Sequence, residues 1–283
     1  VQNNIYLLKG DVHMLVGGGG PWMVQELVDQ IRDWNIDMQR VQYLFVGHSH
    51  FDHSGAVPFL QKRYPHLEIL ASQEAARFLD MPKAVKNARK FCQDALCRMG
   101  ISDTVEGISL DFNPIDRVRV LGDGERIDIG GGLVLRAFET PGHSRCAMTL
   151  YAEEQKWLFP SDAMSIPIHE EWDFACTATE SFVDYVRSLK RLEKLEVNLC
   201  AWEHFGLMTD KHAHRIVQRV LNSTLAYKET LKKKVEASGD VEAVVDWATH
   251  QWLDQTGFEF IPLNVMRYIC KQMVSNAIEE ELL

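Results

Sequence analysis

Apolar residues along the chain fall into two patterns. Short runs rich in branched and aromatic side chains, closed by glycine or polar turns, read as strands; longer stretches with apolar residues three and four apart read as amphipathic helices. By these rules residues 5–8 and 13–16 are strands, followed by a glycine turn at 17–20. That turn lacks the Lys-Ser/Thr and Gly-x-Gly-x-x-Gly patterns of phosphate loops, so it reads as a plain turn. Residues 22–34 form a helix with Val24, Leu27, Val28 and Ile31 on one face. A strand at 43–46, a helix at 54–64 and a strand at 67–71 come next, and Ser72 is placed to cap a helix running to 79. Residues 83–99 read as a helix with Val85, Ala88, Cys92, Ala95 and Leu96 as its stripe. Strands at 118–121 and 126–129 flank the Gly122-Asp123-Gly124 turn, 133–138 is a strand, and 147–151 with 156–159 a hairpin. A helix at 180–195 and a strand at 197–201 complete the mixed part.

This succession predicts an α+β fold: two β-rich halves with outer helices, an αββα four-layer sandwich. The expected organisation is a unit over residues 1–209, with a helical insertion at about 82–113, and a C-terminal helical extension over 210–283. Three helices are predicted in the extension, at 210–237, 241–253 and 262–280. The insertion either shapes a pocket or is a plain surface helix. No internal repeat or low-complexity tract interrupts the chain.

Composition changes this picture only at its edges. The 283 residues are 46% hydrophobic and 25% charged, ordinary for a globular chain long enough to bury a sizeable core. The net charge of -10 argues against nucleic-acid binding through a basic surface. No run is long or apolar enough to span a membrane, and the first residues show no secretory-signal pattern. The six cysteines form no Cys-x-x-Cys pair, so reduced thiols and a cytoplasmic location are expected.

The candidate chemistry is concentrated at residues 47–55, Gly-His-Ser-His-Phe-Asp-His-Ser-Gly, which bring His48, His50, Asp52 and His53 together. They fall between the end of a strand and the start of a helix, where α/β sheets build their sites. Imidazole and carboxylate ligate zinc, iron and manganese. A lone histidine is ordinarily a packing or surface residue; four donors at this spacing point to a metal. A closed structural zinc site would favour cysteine, and this stretch has none.

His-x-His-x-Asp-His resembles the signature of the metallo-β-lactamase-fold hydrolases, and the resemblance extends over about residues 1–210. Downstream, His143 in Thr140-Pro141-Gly142-His143-Ser144, Asp162 in Phe159-Pro160-Ser161-Asp162-Ala163 and His204 in Trp202-Glu203-His204-Phe205-Gly206 resemble that family's further ligand motifs. Glu203 replaces the first glycine of the last motif, which puts the local loop shape in question. The resemblance implies two divalent metal ions, zinc or iron, with manganese a further candidate. His48, His50 and His143 would hold one; Asp52, His53 and His204 the other; Asp162 would bridge them. It further implies hydrolysis by a metal-bound hydroxide, with Asp52 and Asp162 as catalytic residues and Asp52 carrying a proton to the leaving group. Cys146, three residues past His143, reads as a core thiol.

Two positions separate the chain from neighbouring branches. Flavodiiron proteins carry glutamate where this chain has His50, and zinc β-lactamases carry cysteine where it has Asp162, so neither oxygen reduction nor antibiotic hydrolysis is expected. A helical C-terminal extension occurs in thioesterase branches of the family. Phe258-Glu259-Phe260-Ile261-Pro262 followed by Met266-Arg267 resembles the end of the quinolone-signalling thioesterases that act on 2-aminobenzoylacetyl-CoA. The resemblance implies a small-molecule ester substrate, a thioester first. A lactonase or glyoxalase-II-like hydrolase is the enzymatic alternative, though a glutathione thioester would need basic residues near the cleft and no such cluster is evident. A phosphodiesterase is disfavoured by the acidic charge. A regulatory or binding protein with slow residual hydrolysis is the alternative from another class.

His169, Trp172, Phe174, Phe258 and Met266 are the candidate substrate contacts, with Trp252 as a further pocket aromatic; ordinary packing is the competing role for each. His13, His66, His212 and His214 read as packing or surface residues. The C-terminal helices would cover the cleft or form a homodimer face. No nucleic-acid or membrane partner is expected.

Overall fold

The computed structural model describes residues 3–168, 173–258 and 260–282. Its first half alternates strand and helix. β1 (Tyr6–Lys9) and β2 (His13–Val16) pair antiparallel, and α1 (Val24–Asp33) leads to β3 (Val41–Phe45), parallel to β2. α2 (Phe51–Ser54) and α3 (Val57–Arg63) precede β4 (Glu68–Ser72), parallel to β3. α4 (Gln73–Asp80) and α5 (Pro82–Met99) follow, then a small hairpin of β5 (Thr104–Val105) and β6 (Ile108–Ser109). β7 (Val118–Leu121) completes the first sheet beside β4, giving the order β1-β2-β3-β4-β7.

The second half is mostly antiparallel. β8 (Arg126–Asp128), β9 (Val134–Glu139), β10 (Met148–Ala152) and β11 (Trp157–Phe159) pair in sequence. A two-stranded ribbon, β12 (Ile166–Ile168) with β13 (Asp173–Ala175), and α6 (Phe182–Leu192) intervene. β14 (Leu199–Ala201) and β15 (Leu207–Thr209) then complete a sheet ordered β15-β14-β11-β10-β9-β8. The short α7 (Asp210–Ala213) and three long helices, α8 (Ile216–Ser238), α9 (Val241–Thr256) and α10 (Leu263–Glu279), end the chain.

The period-two alternation of the strands shows why they read as unbroken apolar runs. Met14, Val16, Phe45 and Leu70 point between the sheets, where they meet Leu135, Ala137, Met148 and Leu150. Their neighbours Leu15, Leu44, Ile69 and Ala71 point outward into a second cluster under the helices. That outer cluster runs on without a break into α8, α9 and α10, through Val220, Trp252, Met266 and Met273. All six cysteines are free thiols. No helix among the described residues is long and apolar enough to cross a membrane.

Several expectations change in detail. The helix expected at 54–64 is α3, which begins only at Val57, while Ser54 closes the separate α2; Pro58 has no N–H to continue a ladder from Ser54. The two strands that flank Gly122-Asp123-Gly124 belong to different sheets, β7 to the first and β8 to the second, so this turn carries the chain between layers. The helix expected from 210 breaks at His214 and Arg215, the latter at φ 61°. Ser72, as expected, caps α4 by accepting from the Ala75 N–H.

The last helix is tied to the middle of the chain. Lys228 on α8 is buried and donates to the Ala277 and Glu280 carbonyls at 2.8 and 2.7 Å, satisfying groups that a helix C-terminus leaves open. The Glu280 carboxylate accepts from the Val183 N–H at 2.9 Å, in the first turn of α6. Asn276 donates to the Thr179 and Glu180 carbonyls.

Candidate metal centre

β3 ends at Phe45, and the turn after it points His48 and His50 across the sheet rim; one turn of α2 carries Asp52 and His53. His143 lies in the turn between β9 and β10, Asp162 just after β11, and His204 between β14 and β15. Strand ends in both sheets therefore deliver seven side chains to one point. His48 Nε2, His50 Nδ1 and His143 Nε2 stand 3.0–3.2 Å from one another. Donors bound tetrahedrally at ~2.0–2.1 Å from one zinc stand roughly 3.3 Å apart, so the spacing fits a metal. A shared proton links only two of three nitrogens; a cation at their centre satisfies all three.

The second group is Asp52, His53 and His204. His204 Nε2 lies 3.0 Å from His53 Nε2 and 3.5 Å from Asp52 Oδ2. Asp162 stands between the groups: its Oδ2 is 3.3 Å from His53 Nε2 and 3.5 Å from His143 Nε2. These residues could hold two ions with Asp162 between them. Six of the seven are buried, and His50 sits at the open mouth.

The protonation states suit ligation. Burial would raise the Asp52 and Asp162 carboxyls, but the imidazoles around them, His53 foremost, hold both well below the carboxylate range. Burial pushes His143 down to about 4 and takes His48 well below its ordinary value. His53 is the exception. Burial opposes its charge, yet Asp162, Asp52 and Glu203 raise it well above the ordinary value. A dication placed among the same carboxylates would displace that proton.

Neighbouring groups aim the rings. His143 Nδ1 donates to the Thr177 carbonyl at 2.8 Å, and the Thr177 hydroxyl donates to the Asp162 carbonyl at 2.9 Å. His48 Nδ1 lies 3.2 Å from Ser161 Oγ, and His53 Nδ1 donates to Glu203 Oε2 at 3.0 Å. The unexpected Glu203 is thus part of the site.

A cavity of about 430 Å³ opens onto the cluster. α5 lines it with Ala84, Asn87, Ala88 and Phe91, and α10 with Val265, Tyr268, Ile269 and Gln272; each set repeats at i, i+3, i+4, i+7. Trp252, Phe258 and Met266 also line it, and Phe258 packs on the His204 ring with centroids 4.8 Å apart. Phe174 does not face the cavity. It pairs with Pro167, while the preceding Ile166 is the ribbon residue that lines the cavity; Phe174 instead lies under the Arg219 guanidinium at 5.6 Å. His169 and Trp172 lie outside the described residues. Cys146 is buried at the cavity wall, its Sγ 3.3–3.4 Å from Ser144 and Ser49 Oγ. Of the other histidines, His13 is buried, His66 meets the Met38 carbonyl at 2.9 Å, and His212 and His214 are exposed.

The sequence profile of the metallo-beta-lactamase superfamily matches residues 1–204. The chain belongs to that superfamily. Among its superfamily relatives, a flavo-diiron protein from Clostridium acetobutylicum is 22% identical over 302 residues, covering 94% of this chain and 68% of the relative. A probable metallo-hydrolase from Bacillus subtilis is 24% identical over 208 residues, covering 68% of this chain and 63% of the relative. A solved metallo-beta-lactamase family protein from Thermus thermophilus superposes with a TM-score of 0.64 at 21% identity, covering 95% of this chain and 87% of that one. Across five curated relatives the chain spans 23% to 73% of their own lengths.

Proposed function

We propose that this superfamily member is a dinuclear metal-dependent hydrolase of an ester-like carbonyl, with a thioester as its substrate. The observation that carries the reading is the pair of donor groups with Asp162 between them, opening onto a largely apolar cavity. His48, His50 and His143 would hold one divalent ion, and Asp52, His53 and His204 the other. Two such ions, when bound, supply an activated water and polarise the substrate carbonyl. The donor set suits zinc or iron, and the flavo-diiron relative keeps iron in consideration.

The remaining work falls to the chain. Phe51, Phe91 and Trp252 exclude bulk water from the reacting carbonyl and pack its acyl side. Asp52, at the cavity floor and held deprotonated, is the group to carry a proton from the attacking water to the leaving thiol. Among the described residues that line the cavity there is no lysine or arginine, so the reading places an uncharged acyl group inside and any anionic carrier outside. Residues 1–209 form the catalytic unit, and 210–283 are the extension that closes its cavity.

The test is thiol release from a panel of acyl-CoA and acylglutathione thioesters, with zinc-loaded and iron-loaded protein and Asp162→Asn as control. Metal-dependent release lost in the variant supports the reading. Slow release from every thioester, alongside rapid opening of lactones, would replace it with a lactonase.

A further inference from the structure

Glu203 stands where the family motif places a glycine, and its surroundings are built around it. The residue is 3% exposed. Its Oε2 lies 3.0 Å from His53 Nδ1, and among the described residues its ion pair is with that ring. Burying a carboxylate is costly unless a specific partner compensates. Three glycines make the room. At Gly17, φ +100°, an added Cβ would come 3.0 Å from Glu203 Oε2. At Gly47 it would come 3.1 Å from Glu203 Oε1 and 2.6 Å from the Ser161 side chain. At Gly18 it would meet the His53 carbonyl oxygen at 2.4 Å. Part of the glycine run after β2 therefore serves as a slot for the His53–Glu203 pair.

The other rings are backed differently. His143 donates to a neutral carbonyl, His48 faces a hydroxyl and the buried His204 Nδ1 has no hydrogen-bond partner among the described residues, whereas His53 is backed by a carboxylate. A carboxylate behind a ligating histidine fixes which nitrogen carries the hydrogen, sets the ring's orientation and makes the other nitrogen a stronger donor.

We propose that Glu203 is a positioning residue that locks His53 with Nδ1 protonated and Nε2 facing the Asp52–His53–His204 group, so that this group binds its ion more tightly than the all-imidazole group does. The inference rests on the dinuclear reading above. It also explains how the chain tolerates losing the motif's glycine: the added side chain is accommodated by glycines elsewhere and put to use.

The experiment is a competition titration of zinc and of cobalt against a chromophoric chelator, with the full chain as wild type, Glu203→Gln and Glu203→Ala. Melting of the metal-free chains and the visible spectrum of the cobalt forms are followed in parallel. Glu203→Ala is expected to weaken one of the two dissociation constants by about 10–100-fold and leave the other within roughly threefold. Glu203→Gln, which keeps an acceptor for the Nδ1–H but not the charge, is expected to fall between wild type and Glu203→Ala. The cobalt spectrum should change in the weakened site only. Unchanged constants in both variants would overturn the proposal, as would equal weakening of both sites, which is the mark of a merely structural role. If Glu203→Ala does not fold, Glu203→Gln decides alone: weakening of one site supports the proposal and unchanged constants overturn it. Wild-type protein that takes up no metal would instead overturn the dinuclear reading itself.

Discussion

Gly142, immediately before His143, is a position where one methyl group should unseat the site. Its φ is +134°, and a Cβ there would lie 2.3 Å from Tyr185 Cα, 2.4 Å from its nitrogen and 2.5 Å from its Cβ. Those are backbone and first side-chain atoms of α6, so no flexible tip can move aside. The Gly142 carbonyl also accepts from the Glu180 and Ser181 N–H groups at 2.9 and 3.0 Å, which fixes the start of α6 against the His143 turn. Gly142→Ala adds backbone strain of about 1–3 kcal/mol and overpacking of about 1–3 kcal/mol. At roughly 2–4 °C per kcal/mol for a chain near this size, the metal-free protein should melt at least ~4 °C lower. Displacing α6 also shifts Thr177 and Thr179, which hold His143 through Nδ1 and its carbonyl, so metal affinity should fall as well. Thermal and urea denaturation of the metal-free chains, with a metal titration alongside, measure both. A variant melting within about 1 °C of wild type and binding metal equally would refute the close approach of α6 to this turn.

Other substitutions probe other parts of the account. Lys228→Met keeps the aliphatic stem but strips one buried and one part-buried carbonyl at the end of α10 of their donor, and urea denaturation should show a loss of about 1–3 kcal/mol; no measurable loss would mean the tie is idle. Arg191 donates to both oxygens of Asp123 and holds its carboxyl below the usual 3.8. A depressed carboxyl contributes stability above its unfolded value and loses it as pH falls through the folded one. Both groups are over a third exposed, so Asp123→Asn should cost only ~0.2–1 kcal/mol near neutrality. The gap between the urea midpoints of wild type and Asp123→Asn should therefore close as pH falls below 3.8, and a gap that widened would reverse that sign. Ala88→Trp projects bulk into the cavity from α5 and should cut kcat/KM for large acyl thioesters about tenfold or more without changing metal content, as steady-state kinetics and metal analysis would show. Unchanged kinetics would place the acyl group elsewhere.

Much of the fold and of the site is legible in the sequence, and the exceptions have physical causes. The stretch at 47–55 is readable because four candidate donors are nearly contiguous, and the later candidates because each follows a short apolar strand. The layered architecture follows from the same strands. β5, β6, β12, β13 and β15 escape the apolar pattern because two or three residues carry no periodicity. The cavity face of α5, Ala84, Asn87, Ala88 and Phe91, is harder to read, because the stripe of Val85, Cys92, Ala95 and Leu96 is more apolar and draws Ala88 into it, although Ala88 lines the cavity. The loop neighbourhood of Phe174 points to the pocket, but the alternation of β13 turns that side chain the other way. Glu203 is visible as a departure from its motif; its partner, His53, lies 150 residues away, and only the fold joins them.

The most direct test of the account is the number of metal ions bound per chain, measured by elemental analysis of zinc-reconstituted and iron-reconstituted protein, wild type and Asp162→Asn together. The account predicts two ions per wild-type chain, and weaker binding at both sites in Asp162→Asn, because Asp162 reaches both groups. One ion per wild-type chain, or two held as tightly without the Asp162 carboxylate, would contradict a bridged dinuclear centre.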